Sequence, residues 1–236
     1  MENVIQFYEN YDEDGRLFRD KAHLPEYLTT VYYFDRLFTP GSRILDVCAG
    51  TGRYSFYLAD KGHHVTACDI VEHYVNIIKS KPNADKLTDI AVCNALDLSR
   101  FEENGFDAVL CMGALYHLSS NDLKEKAISE CMRVCKSGGI IALAYVVGGL
   151  NKALDDSYEG VFFCSTPREI EEIAVKCGLK RLHNIGTDGM AYNNAAKLNG
   201  ASDEDFRKHM ERHYSTCEDE GVVEASGHAL WIGRKN

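Results

Sequence analysis

A doubly wound α/β fold, a mostly parallel sheet with helices on both faces, is what this sequence predicts. Three observations carry the prediction. Short apolar runs alternate with helical stretches from residue 43 onward, at lengths that suit parallel strands joined by crossover helices. The first of those runs leads directly into a glycine pair, Gly50 and Gly52. The 236 residues are 45% hydrophobic and 26% charged, an ordinary globular balance that fills a core.

Taken in order, residues 1–40 form a helical, aromatic cap. Leu24, Leu28, Val31, Asp35 and Phe38 recur at helical spacing, Tyr27, Tyr32 and Phe34 widen the stripe, and Pro40-Gly41 closes it. Strands are predicted over 43–48, 64–68, 89–93, 107–112 and 140–147, with helices over 53–61, 71–79, 122–135 and 167–176. Gly62, Gly178 and the turn Ser137-Gly138-Gly139 stop elements, while Pro167 starts one. Two late strands, 179–185 and 228–233, flank a polar helix over 203–217. Such an ending suits one antiparallel insertion into a parallel sheet. The chain reads as a single domain over 1–236, with the cap at 1–40, a ligand-binding core at 41–147, and insertions plus closing strands at 148–236.

The bulk numbers exclude several classes. A formal charge of −10 repels phosphate backbones, so nucleic acid is not expected as a partner. Residues 1–10 carry Glu2 and Glu9 without an apolar run, and the longest apolar stretch, 139–150, is too short to span a bilayer. No membrane partner is therefore expected. Nine cysteines, an odd number with no C-x-x-C pair, read as reduced thiols packed in a cytoplasmic protein.

In a doubly wound sheet, ligands bind beyond the carboxyl ends of the strands, where strand order reverses. At the first strand's exit stands Asp46-Val47-Cys48-Ala49-Gly50-Thr51-Gly52. Glycines at 50 and 52 let the backbone turn sharply and approach a ligand that a Cβ would block. Asp69 ends the second strand, and an ionised carboxylate there can accept both hydroxyls of a ribose. The bland reading is a tight strand–helix turn and a helix-capping acid. Both features in register with the first βαβ unit favour a nucleoside site.

These residues resemble the first motif of the class I S-adenosylmethionine-dependent methyltransferases. Asp69, Asn94-Ala95, Phe106 to Leu110 and Lys136 to Gly139 match further family signals in the same order. The resemblance covers about residues 40–147 and implies a seven-stranded sheet whose last strand is antiparallel. One departure stands out: Cys48 occupies a position where the family usually has glycine.

By this resemblance the cofactor is S-adenosyl-L-methionine. Asp46 and the backbone from Cys48 through Ala49 and Gly50 to Gly52 are expected to face its methionine part. Asp69 would hold the ribose, Ile70 would pack on the adenine, and Asn94 with Ala95 would read the adenine edge. Cys111 and Met112 would line the pocket near the sulfonium. Tyr8, Tyr11 and Arg16 look like the lid of small-molecule branches; an ordinary amphipathic helix explains them equally well. His117, just after the fourth strand, sits where a general base would act, and its intrinsic pKa suits that role. A hydrogen-bonded structural histidine is the competing reading.

The acceptor is expected to be a small molecule reacting through N, O or C. With prolines only at 25, 40, 82 and 167, the proline-rich motif of base-amino methyltransferases is absent. Thr216-Cys217 lies far from the loop a carbon methyltransferase would use. His209, His213 and Cys217 fall on one helical stripe, which seldom closes a tetrahedral metal site, so no metal is expected. Specificity is expected from the cap and from segments 148–165 and 186–202. Two other functions compete: an NAD-dependent oxidoreductase, since Gly50-Thr-Gly52-Arg-Tyr-Ser55 nearly fits a dinucleotide fingerprint, and a non-catalytic binder of S-adenosylmethionine. Oligomeric state is not legible.

Overall fold

The computed structural model describes residues 2–9, 11–148 and 160–236. Seven strands build one sheet: β1 (Arg43–Asp46), β2 (His64–Asp69), β3 (Asp89–Val92), β4 (Phe106–Cys111), β5 (Cys135–Val146), β6 (Leu179–Gly186) and β7 (His228–Lys235). Their order is β3-β2-β1-β4-β5-β7-β6. Only β7 runs antiparallel to its neighbours, β5 and β6. The expected fold is therefore found, with β7 inserted between the two strands that precede it. Chain order reverses between β1 and β4, which marks the ligand crevice.

Ten helices flank the sheet among the described residues: α1 (Glu2–Tyr8), α2 (Glu13–Arg16), α3 (Leu24–Leu37), α4 (Arg53–Asp60), α5 (Glu72–Ser80), α6 (Asn121–Val134), α7 (Pro167–Lys176), α8 (Ala195–Asn199), α9 (Asp203–Thr216) and α10 (Glu220–Ala225). Strand side chains alternate between faces. Ile44, Ala108, Leu110 and Ile140 meet Phe34 of α3 and Phe56 of α4. Leu45, Val109, Cys111 and Ile141 meet Ile128 of α6 and Ile170 of α7. Both faces are thereby sealed, which is why these strands read as nearly continuous apolar runs. Side-chain caps define several helix starts: Ser120 accepts from the Leu123 amide, and Thr166 forms a reciprocal box with Glu169.

The cap divides into three helices, with Asp12 capping α2 and Pro25 at the start of α3, and the stripe expected from Leu24 to Phe38 is α3. Two differences from expectation have local causes. β5 begins at Cys135, so Ser137-Gly138-Gly139 lies inside the strand, where its register against β4 shifts between Phe106 and Ala108. The short helices α8 and α10 carry too few periodic positions to register in sequence. Residues 149–159, part of an expected specificity segment, lie outside the described residues.

The cysteine reading needs correction. Cys68 and Cys93 form a disulfide, with Cα atoms 5.7 Å apart. They are 25 residues apart in sequence, and only the parallel pairing of β2 with β3 brings the two strand exits together. The other seven cysteines are free thiols. Among the described residues no helix is long and apolar enough to cross a membrane.

Candidate functional site

At the reversal point the chain leaves β1 and turns into α4. Gly50 and Gly52 adopt φ of +53° and +86°, a region that side chains rarely enter. A Cβ on Gly52 would lie 3.0 Å from Phe56 and 3.2 Å from Ile78, so bare backbone is required there twice over. Cys48, at the position where the resemblance leads one to expect glycine, has a φ that is not positive. Room for its side chain comes from across the crevice: a Cβ on Gly113 would lie 2.8 Å from that of Cys48.

Asp69 at the tip of β2 is buried. Its Oδ2 accepts the Gly50 amide at 2.8 Å and its Oδ1 the Val71 amide at 2.9 Å. Burial raises its pKa against the pull of those amides. Asp46 is also buried; its Oδ2 accepts the Ser55 hydroxyl at 2.6 Å, while Oδ1 has no partner among the described residues. Desolvation pushes its pKa up to about 7.

A cavity of about 560 Å³ opens above this turn. Of the predicted residues, Tyr8, Tyr11, Arg16, Cys48, Ala49, Gly50, Asp69, Ile70, Asn94, Ala95, Met112 and His117 all line it. Three do not. Asp46 and Gly52 lie just beneath the floor, and Cys111 is turned into the core, where its thiol meets those of Cys48 and Cys131. Alternation explains Cys111: it faces opposite to its neighbour Met112. Asn94 is fixed by its own Oδ1, which accepts the Leu96 amide at 2.9 Å.

Helix α2 is tied to the turn that it covers. Lys81 donates to Asp14 of α2 at 2.7 Å and to the Thr51 carbonyl at 2.8 Å, while Arg53 donates to the Asp14 carbonyl at 2.7 Å. Glu13 therefore lies over Gly50, whose Cβ would be 3.2 Å from Glu13 Cγ. Arg16 donates from Nε to Glu13 at 3.2 Å and from its two terminal nitrogens to Glu26 at 2.8 and 2.9 Å. Burial opposes ionisation of Glu26, but the Arg16 fork holds its pKa down at about 2. Glu13 and Glu26 were not singled out from sequence, since an acid in an amphipathic helix looks like surface.

His117 is engaged at both nitrogens. Nδ1 lies 2.7 Å from the Val161 carbonyl, so it carries the proton, and Nε2 accepts from the Tyr8 hydroxyl at 3.0 Å. Burial lowers its pKa to about 4. Phe162 stacks with Tyr116 and meets Phe7 edge-on, completing an aromatic wall around that pair. On the helical stripe of α9, His213 meets the Thr187 carbonyl at 3.2 Å, and Cys217 lies 3.4 Å from the Tyr33 hydroxyl. Those contacts give both residues packing roles.

Residues 45–143 match the family model described as a methyltransferase domain. Over 100 residues the chain is 34% identical to the probable tRNA methyltransferase 9B of Bos taurus, covering 42% of this chain and 20% of that protein. Over 103 residues it is 35% identical to the demethylmenaquinone methyltransferase of Clavibacter sepedonicus, covering 44% and 40%. The chain thus spans well under half the length of either relative. Among solved structures, it superposes on a chain of the complex between the Haloferax volcanii Trm112 methyltransferase activator and a methyltransferase, with a TM-score of 0.69 and 20% identity over 98% of this chain and 96% of that one. At that identity the likeness is one of fold.

One relative is named for tRNA, which overturns the expectation of a small-molecule acceptor with no nucleic-acid partner; another is named for demethylmenaquinone. The physical error was to read a local property from a global sum. A charge of −10 is a sum over the whole chain and neither locates nor excludes a surface for nucleic acid.

Proposed function

We propose that the chain is a class I S-adenosylmethionine-dependent methyltransferase and that it methylates a nucleotide of tRNA admitted singly into the cavity. The observation that carries the reading is the joint between the Gly50 amide and the Asp69 carboxylate, placed at the sheet's reversal point and opening into one cavity.

The residues fit the cofactor. Asp69 accepts the Gly50 amide at Oδ2 and the Val71 amide at Oδ1, and the lone pairs left on the carboxylate can accept ribose hydroxyls. Among the described residues Asp46 keeps one buried oxygen unpaired, and a cation close by would hold it ionised. Ile70 and the Asn94–Leu96 turn would flank the adenine. Bound there, S-adenosylmethionine supplies an electrophilic methyl on a positively charged sulfur. The protein's part is alignment and exclusion of water, which the aromatic wall of Tyr8, Tyr116 and Phe162 supports. A cavity of about 560 Å³ has no room for a duplex. An RNA acceptor would enter one nucleotide at a time, drawn from its stack.

Two measurements test this. S-adenosylhomocysteine at a hundredfold excess over its Kd stabilises the fold by about 2.7 kcal/mol and raises Tm by about 5–10 °C; NAD does not. Stabilisation by NAD alone would remove the reading. With methyl-tritiated S-adenosylmethionine, label enters bulk tRNA and is released by ribonuclease. Label confined to a metabolite extract would retain the transferase and overturn its acceptor.

A further inference from the structure

Three histidines line the cavity, His23, His117 and His228, and the setting of His228 differs from that of His117. Because β7 runs antiparallel, its first residue, His228, stands at the carboxyl edge of the sheet, opposite Val146 of β5. The chain leaving β6 brings Asp188 against it. That side chain is fully buried. Its Oδ1 accepts the amides of Gly227 at 2.9 Å and His228 at 3.1 Å, and its Oδ2 lies 2.8 Å from His228 Nδ1.

The arrangement is fixed from several sides. A Cβ on Gly227 would lie 2.9 Å from Asp188 Oδ2, so only glycine fits there. Gly189, at φ +51°, closes over the His213 ring, whose Nε2 meets the Thr187 carbonyl at 3.2 Å. Glu26 Oε2 also approaches His228 Nδ1, at 3.5 Å, but both of its oxygens are already held by Arg16. Tyr192 stands edge-on to the ring.

A carboxylate can only accept, so in the neutral ring the proton sits on Nδ1 and Nε2 keeps its lone pair. Nε2 has no hydrogen-bond partner among the described residues, and His228 lines the cavity. His117, by contrast, already spends its Nε2 on Tyr8. Resting on the transferase reading above, we propose that the Asp188–His228 pair is the general base of this site and that the acceptor carries an O–H or N–H proton which must leave. As the acceptor atom bonds to the methyl carbon, the carbon–sulfur bond breaks and its electron pair stays on sulfur. The acceptor's proton passes to Nε2 of His228, and Asp188 stabilises the resulting imidazolium.

Two variants and one spectroscopic readout test the pair. In Asp188→Asn, the amide oxygen remains on the Gly227 and His228 amides. The new NH₂ then faces Nδ1 and drives the ring proton to Nε2. Long-range ¹H–¹⁵N spectra of histidine-labelled protein at pH 7.5 should show His228 with Nδ1 protonated in the parent and Nε2 protonated in the variant. An imidazolium or an Nε2–H ring in the parent overturns the proposal without any acceptor present. Transfer of tritiated methyl to bulk tRNA and to a metabolite extract should fall by about 10²- to 10⁴-fold in both Asp188→Asn and His228→Gln, with S-adenosylhomocysteine affinity within threefold of the parent. Imidazole should partly restore His228→Ala. A parent that transfers while His228→Gln keeps its rate sinks the base alone. A parent that binds S-adenosylhomocysteine but labels neither fraction sinks the transferase reading, and the base with it.

Discussion

Asp69 Oδ2 receives the Gly50 amide at 2.8 Å, so the tip of β2 is hydrogen-bonded to the turn that leaves β1. The carboxylate is therefore set in place by backbone before any ligand arrives. Asp69→Ala should weaken S-adenosylhomocysteine by about 2–4 kcal/mol, about 30- to 1,000-fold, as two charge-assisted hydrogen bonds are lost. Calorimetric titration checks it, and an unchanged Kd would place the ribose elsewhere.

Gly52 and Gly62 form a matched pair for separating strain from crowding. Their φ values are +86° and +87°, but a Cβ on Gly62 meets nothing within 4 Å, whereas one on Gly52 meets Phe56 and Ile78. Gly62→Ala should cost about 1–2 kcal/mol of stability from the left-handed backbone alone. Gly52→Ala should cost about 2–4 kcal/mol, since overpacking adds to strain, and should weaken ligand binding as well. Equal urea midpoints for the two would show that the α4 start can relax.

Asp46 makes stability depend on pH. Burial pushes its folded pKa up to about 7, above the unfolded value of about 4. The folded state holds this proton more tightly, so its contribution is fully present below about pH 4. It declines as pH rises and is lost above about pH 7. Asp46→Asn should remove this slope and be more stable than the parent at pH 8, by about 2–4 kcal/mol. Chemical denaturation at pH 5 and pH 8 reads the difference, and parallel slopes in parent and variant would mean Asp46 is ionised throughout.

Thiol counting checks the strand-exit disulfide. Without reductant, denatured protein should react at seven cysteines, and after reduction at nine. Cys93→Ser should leave eight reactive thiols under both conditions. Nine in the unreduced parent would mean Cys68 and Cys93 stand side by side unbonded.

What the sequence made legible was whatever depends on neighbours along the chain. Alternating runs and glycine stops located all seven strands, and the Gly50–Gly52 turn with Asp69 located the crevice. Matters decided across the sheet were hidden. Cys68 and Cys93 meet only because β2 pairs with β3. His228 reaches the cavity only because β7 is reversed. In sequence it is one histidine opening an apolar run, and the preference for His117 followed from its nearness to the fourth strand's exit. Net charge is silent about an acceptor surface for the same reason, because a sum over residues has no location.

The insertion of β7 between β5 and β6 also bears on when the sheet can be completed. Among the described residues β6 has no sheet neighbour except β7. A nascent chain that has delivered residues 179–186 from the ribosome still holds them unpaired until 228–235 emerge. During synthesis the adenosine half can close early, while the edge carrying Asp188 and His228 is assembled last and stands exposed to chaperones and to mispairing until then.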